Sequence, residues 1–315
     1  MDASATWQTV LAPMGPQAAQ LSWLLWSFIA VCGIIWLLVM LVLMLVLRRR
    51  SVPPGGTRRE RRAAVIVGVS LAASVLTIIA LSFMSYAATR DLSVAAADPL
   101  VIRLRGYQWW WEVTYADRRP DRTLVTANEI HIPVGRPVRI ELSAADVIHS
   151  FWVPNLAGKQ DLIPGRSNDL TFVAARPGVY RGQCAEFCGL QHAHMALLVI
   201  ADEPAAFDAW RDAQLQAARS AETVEQRAGR DFFTSQACAA CHTVRGTSAA
   251  GTLGPDLTHV ASRHTIAAGL LPTTRGSLAA WIADPQTIKP GNNMPMVTMT
   301  ADQLRAVSAW LAELR

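Results

Sequence analysis

The chain has 315 residues, of which 51% are hydrophobic and 17% are charged. This balance excludes an ordinary water-soluble protein of two domains and indicates a part that lies in a membrane. The formal net charge of +5 is unevenly spread, because residues 1–90 contain eight Arg and only two acidic residues. Residues 91–200 contain eleven basic and eleven acidic residues, and residues 201–315 contain ten and eleven. No basic face is left outside the apolar region, so we expect no nucleic acid partner.

Two apolar segments near the start of the sequence are long enough to cross a bilayer. Residues 21–47 are interrupted only by two Ser, one Cys and one Gly. As a helix they would extend roughly 40 Å, against about 30 Å for a hydrocarbon core. Residues 63–88 form a second long run, whose Ser and Thr hydroxyls can bond back to their own helix. We therefore predict two transmembrane spans.

The arginines set the predicted orientation. Arg48–Arg50 and the four arginines within residues 58–62 stand between the two spans, whereas residues 1–47 contain no Lys or Arg. By the positive-inside rule the connecting turn lies in the cytoplasm, so the N-terminus and everything after the second span lie on the opposite side. A cleaved signal peptide is disfavoured, because a basic n-region is missing and the first apolar run is too long. We predict a multi-pass protein of a bacterial inner membrane, with its later domains in the periplasm.

Residues 100–200 have the pattern of a β-domain. Val138, Ile140 and Leu142 alternate with Arg139 and Glu141, as in a strand with one buried face. Further β-rich runs are separated by turns that contain Pro and Gly. We predict a small β-sandwich or barrel.

The sequence changes character twice after this domain. Residues 201–226 contain six acidic and two basic residues, with Pro204 near their start, which predicts an exposed, partly helical linker. If that linker is flexible, it keeps the domains that it joins at a high effective concentration. At the end of the chain, Thr300 and Gln303 form a capping box ahead of apolar residues at helical spacing. This pattern predicts an amphipathic terminal helix over residues 300–314.

A cluster of soft metal ligands follows a strand-like run. Cys184, Cys188, His192 and Met195 lie within twelve residues, and two thiolates, an imidazole and a thioether suit copper. His149 is the candidate for a further imidazole, because β-sandwich copper proteins take one His from an earlier strand. A mononuclear blue copper site needs only one Cys, so the second thiolate favours a pair of bridged copper ions. A disulfide between the two Cys is the alternative for an exported chain.

These residues resemble the copper motif of subunit II of the haem-copper cytochrome c oxidases, and residues 20–200 as a whole are similar to that family. The resemblance implies a membrane hairpin and a cupredoxin domain that holds a binuclear CuA centre. The ligand set that it implies consists of the bridging Cys184 and Cys188, the imidazoles of His149 and His192, the thioether of Met195 and the backbone carbonyl of Glu186.

Two residues within this motif refine the resemblance. The Glu186 side chain, by the same resemblance, faces a magnesium ion at the junction with subunit I. The related copper centre of nitrous-oxide reductases usually has Trp at that position, so Glu186 favours the oxidase. The spacing of His194 from Cys188 does not match the family ligand, and we expect His194 to be structural or solvated.

Three consecutive tryptophans stand earlier in the β-domain. Alternation along a strand would place Trp109 and Trp111 on one face and Trp110 on the other. All three cannot be buried on one side, so we expect at least one at the surface or at an interface. In the family that the chain resembles, Trp109 matches the position implicated in electron uptake from cytochrome c.

The sequence Cys238-Ala-Ala-Cys241-His242 is the attachment signature of a c-type haem. The two thiols add across the haem vinyl groups, and the adjacent imidazole ligates the iron. A disulfide between the same two Cys would not explain His242. A distant Met should complete an electron-transfer haem. Met294 stands in a Gly-x-x-Met-Pro sequence that resembles class I cytochromes c and is the predicted axial ligand, with Met296 in reserve.

The order of these modules is similar to that of oxidases with a cytochrome c fused to subunit II. The resemblance implies an electron-accepting subunit of a respiratory terminal oxidase, an oxidoreductase complex. Electrons would reach a covalent haem c, then the CuA centre, then subunit I, where oxygen is reduced to water with proton translocation. The implied partners are subunits I and III, an external donor such as a cytochrome or quinol–cytochrome c reductase, and the lipid bilayer. The alternative is a membrane-anchored haem and copper carrier that serves a different reductase.

The predicted fold class is a multidomain membrane protein with a two-helix transmembrane hairpin, an all-β cupredoxin sandwich and an all-α cytochrome c domain. The predicted boundaries are 1–20 for an outer-face N-terminal segment, 21–90 for the hairpin, 91–201 for the cupredoxin domain, 202–226 for the linker and 227–315 for the cytochrome c domain.

Overall fold

The computed structural model describes residues 8–48, 56–92, 98–117 and 119–315. The chain divides into two compact units, of which one comprises residues 1–18 and 96–315 and the other residues 19–95.

Two long helices make up most of the second unit. Helix α1 spans Pro16–Leu47 and helix α2 spans Thr57–Leu92. Among the described residues these two helices are long and apolar enough to cross a membrane, and their most apolar windows are entirely unburied. The Thr77 hydroxyl donates to the Ala73 carbonyl oxygen at 2.8 Å, so it needs no water. The predicted pair of apolar helices is confirmed. Residues 49–55 of the predicted cytoplasmic turn lie outside the described residues.

The β-domain is a sandwich of two five-stranded sheets, with strand orders β3-β2-β1-β5-β8 and β4-β10-β9-β6-β7. The ten strands are β1 Leu100–Tyr107, β2 Trp110–Tyr115, β3 Leu124–Ala127, β4 Glu129–Pro133, β5 Val138–Ala144, β6 His149–Trp152, β7 Gln160–Leu162, β8 Asn168–Phe172, β9 Gly178–Cys184 and β10 Ala196–Asp202. Pairing is parallel between β1 and β5 and between β4 and β10, and antiparallel elsewhere. The predicted cupredoxin sandwich is confirmed.

The core of the sandwich lies between its two sheets. In β5 the side chains of Val138, Ile140 and Leu142 are fully buried while Arg139 points to solvent, as the alternation predicts. Across the core, Phe151 of β6 stacks on Phe172 of β8 with ring centroids 6.3 Å apart. Phe151 also pairs with Cys184, the last residue of β9.

The predicted linker is helical in part but is not exposed throughout. Helix α3 spans Pro204–Gln214, and its Phe207 is only 2% exposed. Trp210 stacks on His131 of β4 with centroids 4.1 Å apart. The many acidic residues of this segment indicated a solvated helix, but its two aromatic residues are three positions apart and bury one face against the sandwich.

The segment after α3 packs on the last domain. The backbone N–H of Ala218 donates to the Arg245 carbonyl oxygen at 2.9 Å, and the Arg245 guanidinium donates to the Leu215 carbonyl oxygen at 3.2 Å. His259 contacts the Gln216 carbonyl oxygen at 3.1 Å through Nε2. The segment between the two domains is therefore held at both ends.

The last domain consists of five helices and a short two-stranded ladder. These elements are α4 Val224–Ser235, α5 Cys238–Cys241, β11 Thr265–Ile266, β12 Leu271–Pro272, α6 Arg275–Ala283, α7 Pro285–Ile288 and α8 Ala301–Leu311. Thr300 and Gln303 form the predicted capping box of α8. Phe233 of α4 meets the ring of Trp310 in α8 edge to face, with centroids 5.2 Å apart. The predicted cytochrome c fold is confirmed, with the small ladder as an addition.

Candidate functional site

Two thiols and an imidazole meet at one end of the sandwich. Cys184 ends β9, Cys188 lies in the following loop, and His149 begins β6. The two Sγ atoms are 3.7 Å apart, and Nδ1 of His149 is 3.9 Å from Sγ of Cys184. All three residues are buried, and a ligand atom from each lies within 4.8 Å of the others. This group can hold a metal ion.

His149 is oriented by a carboxylate. Its Nε2 contacts Oδ1 of Asp146 at 2.8 Å, which leaves Nδ1 facing the thiols. A carboxylate on the far nitrogen is the usual support of a metal-binding imidazole. Burial lowers the pKa of His149, but hydrogen bonds with Cys184 and Asp146 outweigh this effect and leave the pKa raised.

The loop after β9 supplies the remaining predicted ligands. Nδ1 of His192 lies 3.6 Å from Sγ of Cys188, and Sδ of Met195 lies 3.9 Å from the same sulfur. The Cys184 thiol donates to the Glu186 carbonyl oxygen at 3.2 Å. The structure thus brings all six predicted groups together.

The two sulfur atoms lie within hydrogen-bond distance of each other. Their mutual hydrogen bond lowers the pKa of Cys184 and raises the pKa of Cys188. A thiolate is the form that binds a metal ion, and the paired arrangement makes one available. The chemistry of this donor set, with sulfur, imidazole and thioether groups in one buried cluster, fits copper.

Two residues of the same loop point away from the cluster. The Glu186 side chain is exposed, so its carboxylate faces outward while its carbonyl faces the thiols. His194 is also exposed, and its Nδ1 contacts Oε1 of Gln191 at 2.8 Å. His194 lies outside the sulfur and imidazole cluster, as the spacing of the motif predicts.

The second candidate site is a cavity of about 530 Å³ beside α5. Cys238, Cys241, His242 and Met294 all border it. Its remaining walls are largely apolar and include Phe233, Leu257, Val260, Ile266, Leu278, Trp281, Ile282 and Val297. A flat hydrophobic cofactor that bonds to both thiols fits such a cavity.

The imidazole of His242 is prepared to act as a ligand. Its Nδ1 donates to the Pro255 carbonyl oxygen at 2.8 Å, which leaves Nε2 as the free acceptor. Burial lowers the pKa of His242, so the neutral form that binds a metal is favoured. A Cβ atom on Gly254 would lie 2.6 Å from Cε1 of His242, so only glycine leaves room for the ring.

The methionines of the last loop differ in their position. Met294 borders the cavity, and its backbone is held by Asn292 and Gln286. Met296 is 62% exposed and does not border the cavity. Of these two methionines, only Met294 borders the cavity that His242 also borders. Met299 also borders the cavity, but it lies outside the Gly-x-x-Met-Pro sequence.

A buried guanidinium in the cavity wall was not predicted from the sequence. Arg263 is 9% exposed, borders the cavity and donates to the Asp256 carbonyl oxygen. Its Nε is buried and has no partner among the described residues. A buried unpaired donor calls for an acceptor, and the acidic groups of a haem would supply one. Both candidate sites therefore fit the predicted cofactors.

Trp109 stands between the two sites. It lies in the turn between β1 and β2, so the prediction that it belongs to a strand is wrong. It is 8% exposed, and its indole N–H donates to the Cys188 carbonyl oxygen at 2.9 Å. The same side chain borders the cavity of His242 and Met294. The interface expected for one of the three tryptophans is thus the one between the two domains.

Two known families match the chain. The family described as "Cytochrome C oxidase subunit II, periplasmic domain" matches residues 118–202, and the family described as "Cytochrome c" matches residues 226–315. The first range contains His149 and the loop of residues 184–195, and the second contains Cys238, Cys241 and His242.

Similar proteins have the same description. "Cytochrome c oxidase subunit 2" of Alkalihalophilus pseudofirmus is 38% identical over 230 residues, which cover 72% of this chain and 65% of that protein. The Bacillus subtilis protein of that name is 33% identical over 208 residues, which cover 63% of this chain and 57% of that protein. The solved periplasmic domain of subunit II of cytochrome oxidase of Bradyrhizobium japonicum is 32% identical, with a TM-score of 0.36, and the match covers 38% of this chain and 96% of that structure. The chain spans less than two thirds of the length of either full-length relative.

The fold and the two sites define a chain with two apolar helices, a cupredoxin domain and a c-type cytochrome domain. Residues 118–202 match the family of the cytochrome c oxidase subunit II periplasmic domain, and residues 226–315 match the cytochrome c family.

Proposed function

We propose that this chain is the electron-accepting subunit of a respiratory terminal oxidase, with a haem site and a copper site in series. The observation that carries the proposal is the position of Trp109. Its side chain borders the cavity beside His242, and its indole N–H bonds to the carbonyl oxygen of Cys188. One side chain therefore contacts both sites. Two functionally unrelated sites would not require such a shared contact.

The copper site would be held by the groups that the fold gathers at the end of β9. A pair of copper ions would be held by the thiolates of Cys184 and Cys188, the imidazoles of His149 and His192, the thioether of Met195 and the Glu186 carbonyl oxygen. The spacing of 3.7 Å between the two sulfur atoms supports two thiolates that face a common space. The surrounding side chains of the β-sandwich bury the cluster, so they limit both rearrangement of the ligands and access of water.

The haem would be attached through Cys238 and Cys241, with His242 and Met294 as axial ligands. His242 is fixed by its bond to Pro255, and Met294 is fixed through its backbone by Asn292. When bound, the haem and the copper pair would each supply one-electron redox chemistry without an open ligand position. Neither site then offers oxygen a place to bind, so the reduction of oxygen belongs to a partner.

The partners follow from this function. The oxygen-reducing site, with proton translocation, belongs to subunit I, with subunit III beside it, and an external cytochrome or quinol–cytochrome c reductase donates the electrons. The two apolar helices would anchor the chain in the inner membrane, with both metal domains on the periplasmic side. The exposed carboxylate of Glu186 is available for a magnesium ion at the surface that meets subunit I.

The test is to purify the full chain from its membrane in mild detergent and to measure its metals, its partner and its activity. We expect a pair of copper ions with a delocalised electron spin resonance signal, a covalent haem, a copurifying haem-copper subunit and oxygen consumption. A single copper ion per chain would overturn the copper assignment. Intact copper and haem without the partner or oxygen consumption would identify instead a carrier that serves a different reductase.

A further inference from the structure

The boundary between the cupredoxin domain and the cytochrome c domain contains a buried lysine, and burial lowers its pKa to about 7. Lys289 belongs to the loop between α7 and Met294, and it is only 2% exposed. Its ammonium reaches out of the cytochrome c domain into the cupredoxin domain. Lysine is almost never fully buried without partners, so the contacts of this side chain need an explanation.

The Lys289 ammonium donates three hydrogen bonds to backbone carbonyl oxygens. Two acceptors lie in the cupredoxin domain, Trp109 at 2.8 Å and His194 at 2.8 Å, and the third is Ala267 of the cytochrome c domain at 3.0 Å. An ammonium has three donors and no acceptor, so this set satisfies it fully. The contact joins three segments at one point. They are the turn of residues 108–109 (the tryptophan turn), the loop of residues 185–195 (the copper loop) and the cytochrome c domain.

A buried negative charge makes the reciprocal contact. Glu129 of β4 is 2% exposed, and it accepts hydrogen bonds from the backbone N–H groups of His264 and Thr265 in the cytochrome c domain. Each domain thus places a charged side chain among backbone groups of the other. Separation of the domains would break charge-assisted hydrogen bonds at both points.

The surface around Lys289 is closely fitted. A Cβ atom on Gly291 would lie 3.3 Å from Leu190 and 3.6 Å from the Trp109 ring, so the loop after Lys289 lies directly over the indole. The side chain of Gln191 donates to the Pro290 carbonyl oxygen at 2.8 Å. These contacts place the loop after Lys289 directly against Trp109 and Gln191.

The backbone that meets Lys289 from its own domain is strained. Ala267 and Ala268 have φ values of 55° and 60°, a left-handed conformation that is unfavourable for alanine. The Ala267 carbonyl accepts from Lys289, and the Ala268 carbonyl accepts from the Ala196 N–H of β10 at 2.9 Å. Such a conformation persists only where the surroundings impose it, and here those surroundings include the other domain.

We propose that Lys289 is a positioning residue that holds the cytochrome c domain on the tryptophan turn and the copper loop, so that the two domains stay in contact throughout turnover. The cavity beside His242 then remains bordered by Trp109 at all times, and electron transfer between the sites requires no separate docking step. The effect of this contact on electron transfer rests on the proposed function. The contact itself does not.

The two lysines of the chain provide a direct test. Lys159 is exposed and Lys289 is buried, so an amine-reactive ester applied to the full chain, with copper and haem bound, should distinguish them. We expect Lys289 to be acylated at least about tenfold more slowly than Lys159, the factor that corresponds to about 1.4 kcal/mol of opening free energy. After denaturation both should react at similar rates. Equal rates in the native chain would overturn the proposal.

A variant pair tests the role of the charge. Lys289→Met keeps most of the side-chain length and removes the ammonium, and Arg305→Met removes an exposed charge from α8 of the same domain. We expect Lys289→Met to increase hydrogen exchange at the His264 and Thr265 amides about tenfold or more, because charge-assisted hydrogen bonds are lost. Arg305→Met should leave these amides unchanged.

The final measurement distinguishes a change in the contact between the domains from a loss of folding. In Lys289→Met the copper spin signal and the haem spectrum should be retained, while electron transfer from reduced haem to copper within the chain slows about tenfold or more, in proportion to the lost docked population. Unchanged exchange together with unchanged transfer would overturn the positioning role. A native chain that protects Lys289 but transfers no electron between the sites would instead refute the proposed function and leave the contact standing.

Discussion

The indole N–H of Trp109 donates to the backbone carbonyl oxygen of Cys188 at 2.9 Å, although the two residues are 79 positions apart. The side-chain amide of Gln108 donates to the same oxygen at 2.7 Å. Two donors from one turn therefore fix the loop that carries Cys188. Trp109 also borders the cavity beside His242. The hydrogen bond therefore connects the loop that carries Cys188 to a wall of that cavity.

Replacement of Trp109 should slow electron transfer without loss of the metals. Trp109→Phe keeps an aromatic ring but removes the N–H donor, which costs about 1 kcal/mol of hydrogen-bond energy and leaves the Cys188 carbonyl with Gln108 alone. We expect a several-fold slower transfer from haem to copper in a rapid-reduction experiment, with unchanged metal content. Tyr86→Phe in α2 is a control in the other unit. An unaltered rate in Trp109→Phe would show that this indole has no part in the connection.

Copper binding should distinguish two histidines of one loop. His192 faces Cys188, whereas His194 bonds to Gln191 at the surface. We expect His192→Ala to weaken copper binding by at least about 100-fold, because even residues that only support a ligand typically cost 10- to 100-fold. His194→Ala keeps the backbone carbonyl that accepts from Lys289 and should bind copper normally. The measurement is a competition titration with a copper chelator, and equal losses in both variants would contradict the ligand assignment.

Two methionines of the last loop form a similar pair. We expect Met294→Ala to retain the haem through its two thioether bonds but to lower its reduction potential on the order of 0.1 V, because the axial ligand sets the potential. Met296→Ala changes a side chain that is 62% exposed and should leave the potential unaltered. Redox titration followed by absorbance checks both. If the potential moves only in Met296→Ala, the reserve ligand is the true one.

A methyl group at Gly254 should disturb the imidazole of His242. The new Cβ would stand 2.6 Å from Cε1, and overpacking of this kind typically costs about 1–3 kcal/mol. Gly254→Ala should therefore lower the thermal midpoint and alter the haem spectrum. Gly276→Ala in α6 has its nearest neighbour at 3.9 Å and should instead stabilise the helix by about 0.5–1 kcal/mol. A Gly254→Ala chain with native stability and spectrum would contradict this account of the ring.

The contact between the domains should weaken as the pH rises. A hydrogen bond with Glu129 raises the pKa of His264 above its ordinary value of 6.5, against a smaller opposing effect of burial. Because the folded pKa is the higher one, this contribution is fully present below pH 6.5 and is lost as the pH rises through the raised pKa. Among the described residues, His131, Asp202 and Arg263 are the other charged or titratable groups close to this pair. Burial lowers the pKa of Lys289, at the other contact between the domains, to about 7, so its titration acts in the opposite direction.

Hydrogen exchange at the Thr265 amide measures this effect. We expect opening, after correction for intrinsic exchange, to become about two- to fivefold more frequent between pH 6 and pH 8, since a half-exposed pair contributes about 1 kcal/mol at most. His264→Gln should remove the contribution of His264 to this dependence and leave the backbone bonds to Glu129 in place. Equal opening at both pH values in the native chain would refute the role of His264.

The parts of the site that were predictable depend on residues that are close together in the sequence. Cys184, Cys188, His192 and Met195 stand within one loop and its flanks, so spacing alone reveals a ligand set. The alternating strands and the capping box at Thr300 are equally local patterns. Asp146 was visible three positions before His149, and its support of that ring could have been inferred from the preference of metal-bound imidazoles for a carboxylate.

The parts that were not predictable depend on contacts between distant segments. Lys289 and Trp109 are 180 positions apart, and no pattern in either segment indicates that they meet. The burial of Phe207 was hidden by the acidic residues around it, because charge content describes a whole segment while packing depends on one face of the helix. The turn at Trp109 interrupts a run whose composition is typical of a strand.

The burial of Trp109 also determines how an outside donor must deliver its electrons. A diffusing protein cannot reach an indole over which the loop of Gly291 already lies. The cytochrome c domain thus covers the indole that bonds to the carbonyl oxygen of Cys188. Under the proposed function, the haem site would therefore receive electrons first and the copper site second.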